Sequence, residues 1–100
     1  MLIVEAAIAK YGEENQLRQT QEELAELIVA INKYERAIKN DECPSYIAYT
    51  RKNIIEEMTD VLITLDAVKK ILDIQDEEIE HVRAFKLNRL LDRLKKECDL

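Results

Sequence analysis

The sequence has very little of the two residues that most often end a helix. Its 100 residues include one glycine and one proline, Gly12 and Pro44. Because glycine and proline mark most turns, such a chain should have few turns and long regular elements. No segment reaches the roughly 20 consecutive apolar residues that a membrane-spanning helix needs. The N-terminal run carries Glu5 and lacks the basic leader of a signal peptide. We therefore expect a cytoplasmic protein without a membrane partner.

Cysteine and histidine are also scarce, and the acids outnumber the bases. Cys43 and Cys98 lie far apart without a CxxC or Cys/His spacing, so we interpret them as free thiols of a reducing compartment. The chain has 15 Lys and Arg against 21 Asp and Glu, which gives a net charge of −6. This charge argues against a nucleic acid polymer as partner, because phosphate backbones bind basic surfaces. A small phosphate ligand held through a cation is compatible with it.

Apolar residues recur at helical spacing in three long segments, and no segment alternates as a strand does. We predict a short helix over residues 2–10 and long helices over 13–39, 45–73 and 76–97. The chain forms one domain, 1–100, and a domain of this size has only a small core of its own. The sequence thus predicts an all-α fold. It would be a helical bundle of three long helices plus a short N-terminal helix, completed by homo-oligomerisation.

The last predicted helix combines an apolar face with a basic stripe. Asp76 is expected to cap its N-terminus. The positions expected to face inward are Ile79, Val82, Phe85, Leu90, Leu91 and Leu94. Lys86, Arg89 and Arg93 follow one another at i, i+3 and i+7, beside that apolar face. They either pair with acids of a neighbouring element or clamp phosphate groups.

Four acids of the other two long helices lie on or beside an apolar face. With about 100° of rotation per residue, Glu23 and Glu57 fall inside the apolar arcs of their helices. Glu26 and Asp60 follow one turn later at the edges of those arcs, whereas Glu22 points outward. Burying ionised carboxylates without partners is costly. No cation lies one turn away from the inward acids, so a bound metal ion is the expected neutraliser.

The donor set decides which metal fits. Four carboxylates make an all-oxygen site, which suits Mg²⁺, Mn²⁺ or Ca²⁺. Zinc would need Cys or His ligands, and a ferritin-like di-iron site would need Glu-x-x-His pairs. Mg²⁺ usually shares its coordination with substrate phosphates, so the site points toward phosphate chemistry. Gln19, one turn before Glu23, either reaches a nucleotide base or caps the edge of the core.

Two acidic segments resemble the EExxE…ExxD signature of the MazG-like, all-α NTP pyrophosphatase superfamily. They are Gln21–Leu27 (QEELAEL) and Ile55–Leu62 (IEEMTDVL). Phe85–Arg89 (FKLNR) is similar to the family's third, Lys-containing motif. The resemblance implies a homodimer or tetramer that cleaves a nucleoside triphosphate to the monophosphate and pyrophosphate, in a house-cleaning role for the nucleotide pool.

The same resemblance assigns roles to individual residues. The Mg²⁺ ligands, with Mn²⁺ as the alternative ion, would be Glu23, Glu26, Glu57 and Asp60. Lys86 and Arg89 would contact phosphate. Independently of the resemblance, the spacing of the basic stripe adds Arg93, and the place of Gln19 one turn before Glu23 adds Gln19, as expected substrate contacts. In the mechanism that we expect, as distinct from the motif match, Glu22 or Glu26 would accept the proton of the attacking water, and the sequence does not separate a metal ligand from a general base.

A second interpretation is not enzymatic. An acidic helical dimer could act as a regulatory or scaffolding module, its inward acids paired with Arg89 and Arg93 across the subunit interface. A family member that only binds nucleotides is a third reading, and the acids at all four ligand positions argue against it. Metal dependence separates the first two interpretations, because a scaffold should be indifferent to Mg²⁺ and to EDTA.

Overall fold

A computed structural model describes residues 2–97, and every regular element in that range is a helix. The four helices are α1 (Leu2–Tyr11), α2 (Glu13–Lys39), α3 (Pro44–Ile71) and α4 (Asp76–Lys96). The all-α prediction is confirmed, and the boundaries lie close to the predicted ones. None of these helices combines the length and the apolar character needed to cross a membrane. Cys43 is a free, exposed thiol, whereas Cys98 lies outside the described residues.

Local sequence signals set the helix ends. Gly12, between α1 and α2, has a φ of 90°, which glycine adopts more readily than residues with a Cβ. Pro44 takes the first position of α3, where a missing N–H is harmless. Asp41 and Asp73, just beyond α2 and α3, have φ values of 51° and 53°. Aspartate is enriched in this left-handed region, so both helices end in residues suited to the turn.

The start of α4 differs from the prediction. Gln75, rather than Asp76, is the N-cap residue, and its backbone N–H donates to Glu78 Oε2 at 2.8 Å. This contact is the reciprocal half of a capping box. Asp76 lies in the first turn of α4, where its carboxylate accepts from Lys69 Nζ at 2.6 Å. The neighbouring ammonium lowers the pKa of Asp76.

The hairpin of α2 and α3 is the scaffold of the chain, and α1 packs on both helices. An ion pair of 3.0 Å between Glu5 and Lys70 Nζ adds to the contact of α1 with α3. The buried residues are all small or medium-sized, and they allow the two long helices to approach closely: Val4, Thr20, Ala30, Ala37, Thr50, Val61 and Ala67. Thr20 Oγ1 donates to the carbonyl of Gln16 at 3.0 Å and also faces the Thr64 carbonyl of α3 at 3.4 Å.

The last helix does not join this hairpin. Within residues 2–97, α4 packs on no other helix and buries none of its residues. The radius of gyration is 17.8 Å, against about 13 Å for a compact domain of 100 residues. The predicted bundle of three long helices is therefore wrong for a single chain, because the turn after α3 directs α4 away from α2. Of the six positions expected to face inward on α4, five are exposed and Leu94 is half-buried.

Candidate metal site

The four predicted metal ligands lie where the helical-wheel argument placed them. Glu23 on α2 and Glu57 on α3 are half-buried, whereas Glu26 and Asp60 are exposed. One carboxylate oxygen each from Glu23, Glu57 and Asp60 lies within 4.8 Å of the others. We call these three residues the acidic cluster. Glu26 stands close enough for its charge to act on Glu23. The hairpin thus brings together acids that are more than 30 residues apart in sequence.

Two oxygens of the cluster have no partner. Oε2 of Glu23 and Oε2 of Glu57 are shielded from water and accept no hydrogen bond from the described residues. The ion pairs found within residues 2–97 include neither residue, nor Asp60. A carboxylate oxygen removed from water without a donor or cation carries a desolvation cost. A hard cation with oxygen ligands would remove that cost and offset the repulsion within the cluster.

Glu23 is the acid most affected by this environment. Burial raises its pKa above the ordinary value, and the negative charges of Glu26 and Asp60 act in the same direction. Gln19 opposes the shift, since its Nε2 donates to Glu23 Oε1 at 2.8 Å. The sequence offered Gln19 as a base contact or a core-edge cap. In the structure its amide orients Glu23 one turn away.

A groove of about 430 Å³ opens beside the acids. Glu26 and Glu57 line it together with Lys33 and Asn53, and its apolar part is formed by Ala25, Val29 and Ala30. The sequence argument missed Lys33 and Asn53 as site residues. A signal was present, because Lys33 follows Glu26 by seven residues and Asn53 precedes Glu57 by four, and both spacings place residues on one helix face. The groove therefore offers a cation and an amide next to the acids.

The basic stripe lies elsewhere in the single chain. Lys86, Arg89 and Arg93 are exposed on α4, which within the described range touches α3 only through the Asp76–Lys69 ion pair at its first turn and packs on neither α2 nor α3. None of the three forms an ion pair with another residue of 2–97. One chain therefore does not bring the predicted phosphate contacts to the acidic cluster. Glu22, offered as a proton acceptor, is exposed on α2, and nothing in its surroundings singles it out.

Comparison with protein-family models, with curated proteins and with solved structures finds no match for this chain. Its function must therefore be argued from the chemistry of its own residues. They supply three converging carboxylates, two orphaned oxygens, and a groove with one ammonium and one amide. The likeness to MazG-like enzymes stays a prediction that rests on the acidic motifs.

Proposed function

We propose that this chain is a Mg²⁺-dependent nucleoside triphosphate pyrophosphohydrolase of the MazG-like type, acting on cytoplasmic nucleotides. It would convert an NTP or dNTP and water to the monophosphate and pyrophosphate. The observation that carries the proposal is the pair of shielded, unpartnered carboxylate oxygens on Glu23 and Glu57. Their convergence with Asp60 suits a hard divalent cation, and Mg²⁺ commonly shares its coordination with substrate phosphates.

The donor set fits Mg²⁺, or Mn²⁺ in its place. Glu23, Glu57 and Asp60 would hold the ion, with Glu26 at the rim of the site. Such an ion supplies charge neutralisation for the phosphates and lowers the pKa of a water molecule. Gln19 would keep Glu23 oriented through the 2.8 Å hydrogen bond.

The groove residues suit the remaining tasks. In the proposed reaction the water oxygen bonds to the α-phosphorus, and the bond from that phosphorus to the bridging oxygen breaks to release pyrophosphate. We assign the acceptance of the water proton to Glu26 rather than Glu22, because Glu26 lines the groove. Lys33 would donate to phosphate oxygens and stabilise the charge that develops on the leaving group.

Pyrophosphate release tests the proposal directly. A panel of canonical and modified NTPs and dNTPs is incubated with the protein, with and without Mg²⁺. The wild type should release pyrophosphate only with the metal, and Glu57→Gln should fold but release very little. Glu56→Gln is the matched control, since Glu56 is the exposed neighbour on the same helix. Normal turnover by Glu57→Gln would refute the assignment.

One observation favours the scaffolding alternative. Many large apolar side chains of α4 are exposed, among them Phe85 at 63% of its surface, as on a protein that works by contact with others. This alternative predicts that Mg²⁺ does not raise the melting temperature and that EDTA does not lower it. The same apolar surface is also what a homo-oligomeric enzyme would present in one isolated chain.

A further inference from the structure

The groove beside the acids contains one polar side chain that the proposed reaction does not use. Asn53 lines this groove, and it alone of the chain's asparagines is half-buried, whereas the others are exposed. Its side-chain amide forms no hydrogen bond with any group of residues 2–97. Such an amide carries two N–H donors and an acceptor oxygen, and a half-buried polar group usually has a partner. The amide of Asn53 is therefore available to a ligand in the groove.

The neighbouring acid does not occupy this amide. On α2, Gln19 precedes Glu23 by four residues, and its amide donates to that carboxylate at 2.8 Å. On α3, Asn53 precedes Glu57 by the same spacing, yet Oε2 of Glu57 accepts no hydrogen bond from the described residues. Asparagine is one methylene shorter than glutamine, which reduces its reach along the helix. Asn53 thus does not orient its acid in the way that Gln19 does.

The position of Asn53 along the groove is set by the antiparallel hairpin. With a rise of 1.5 Å per residue, Asn53 lies about 6 Å from Glu57 along α3, toward the connection between the two helices. Val29 and Ala30 lie about 4.5 and 6 Å from Glu26 along α2, toward the same connection. All five residues line the one groove. The amide and a small apolar wall therefore lie at one level, about one helical turn beyond the carboxylates.

The chemistry of this level suits a nucleobase better than a phosphate. An ionised phosphate would lose hydration against an apolar wall, whereas a flat heterocycle gains by covering it. An amide can donate to one atom of a base edge and accept from the next, as asparagine does with adenine. The groove volume of about 430 Å³ falls within the range of about 300–1,000 Å³ that is common for small-molecule sites.

We propose that Asn53 binds the base of the nucleotide. The ring would lie against Val29 and Ala30, and the amide would pair with the edge that carries the 4-substituent of a pyrimidine or the 6-substituent of a purine. This inference rests on the proposed function, because phosphates at the acidic cluster place the base one sugar away, in the groove. Lys33 keeps its phosphate contact, since its ammonium is on a flexible four-carbon stem. Asn53 is then a specificity-determining residue.

Asn53→Asp tests the base contact. An ionised carboxylate only accepts hydrogen bonds, so it should retain bases with an amino group at this edge, as in CTP and ATP. It should disfavour bases with a carbonyl there, as in UTP and ITP. Calorimetry with the α,β-methylene analogues and Mg²⁺ measures the four dissociation constants. The preferences for CTP over UTP and for ATP over ITP should each rise about tenfold relative to the wild type.

The ratio within each pair removes the effect of the added charge, because that charge weakens binding of both members alike. Asn32→Asp is the matched control, since Asn32 is exposed on α2 and lines a different groove. Its ratios should equal those of the wild type. Unchanged ratios in an Asn53→Asp variant with wild-type circular dichroism would overturn the proposal, and so would an equal change in Asn32→Asp.

Nuclear magnetic resonance of the wild type gives a readout that needs no variant. The side-chain N–H resonances of Asn53, assigned through bonds, should shift when α,β-methylene CTP or ATP is added with Mg²⁺. They should not shift with tripolyphosphate and Mg²⁺, which supply the phosphates without a base. Equal shifts with tripolyphosphate would show a phosphate contact instead. A lack of any shift with the nucleotides would equally overturn the proposal.

These readouts separate the base contact from the enzyme. If the analogues bind with the expected change in Asn53→Asp but no nucleotide releases pyrophosphate, the proposed function fails and the base contact stands. If pyrophosphate is released but the pair ratios do not respond to Asn53→Asp, the base contact fails and the proposed function stands.

Discussion

Replacing Glu23 with glutamine should stabilise the metal-free protein at neutral pH. One oxygen of Glu23 lies within 4.8 Å of oxygens of both Glu57 and Asp60. Two like charges at that separation repel by about 1 kcal/mol in water and by about 3.5 kcal/mol at an effective dielectric constant near 20. Because Glu23 is only half-buried and Asp60 is exposed, we expect a total gain of about 1–2 kcal/mol. Glutamine keeps an oxygen that can accept from Gln19.

The gain should depend on pH with a definite sign. The folded state raises the pKa of Glu23. Between the pKa of the unfolded chain and this raised value, the native protein therefore binds a proton at Glu23 that the unfolded chain has lost. The contribution of this group to stability therefore falls as pH rises from the ordinary pKa of glutamate, about 4.3, through the raised value. The advantage of Glu23→Gln should be present at pH 7 and absent below about pH 4.

Thermal denaturation in EDTA at fixed protein concentration measures this effect. A gain of about 1 kcal/mol raises the melting temperature of a domain this size by roughly 4–8 °C. Glu22→Gln, the exposed neighbour, should change stability by less than about 0.5 kcal/mol. A destabilised Glu23→Gln variant at pH 7, or the same gain at pH 4, would refute the reasoning.

Three further predictions concern metal, substrate and packing. Mg²⁺ at 100 times its Kd should stabilise the wild type by about 2.7 kcal/mol in a thermal scan; no response, or an equal response from Glu57→Gln, would contradict the site. Lys33→Met should lower kcat/KM for NTP at least tenfold, because a hydrogen bond to a charged group contributes about 1.5–3 kcal/mol, and an unchanged kcat/KM would remove Lys33 from the site. Ala67→Leu should cost about 1–3 kcal/mol in urea denaturation, unlike Ala84→Leu on exposed α4.

Much of the fold could be predicted because it depends on local signals. Helical periodicity, Gly12 and Pro44 specify the four helices and their breaks, and these residues act within one or two turns. The cap of α4 was assigned one residue too late, because aspartate is the stronger N-cap residue in general. At the N-terminus of α4, Asp76 pairs with Lys69 instead. Gln75 is the N-cap residue, and its backbone N–H donates a hydrogen bond to the carboxylate of Glu78.

The placement of α4 could not be predicted in the same way. An apolar helix face indicates burial but does not say against what, because a neighbouring helix and a second chain bury it equally well. The turn at Asp73 has a left-handed φ that no periodicity argument contains. Leu90 and Phe85 therefore look like core residues in the sequence and are exposed in the chain.

The acidic cluster was predictable in its members but not in its surroundings. Glu23 and Glu57 stand out because an acid in an apolar arc is unusual. Lys33 and Asn53 do not stand out in the sequence, because a polar residue at the edge of a helix face is common. Only the pairing of α2 with α3 shows that they share a groove with Glu26. The residues that meet across two helices depend on how the helices are aligned along their axes. A helical wheel of one helix does not define that alignment.

The packing around the cluster explains how its repulsion is tolerated. Each half-buried acid lies between buried residues of its own helix: Thr20 and Ala30 flank Glu23, and Thr50 and Val61 flank Glu57. Small buried residues on both sides of each acid pack α2 closely against α3, so separating the helices to move the carboxylates apart would expose those residues to water. The hairpin thus holds the acids together before any cation binds. Placing the acids on two packed helices suits a metal site, because ligands already in position lose little freedom on binding.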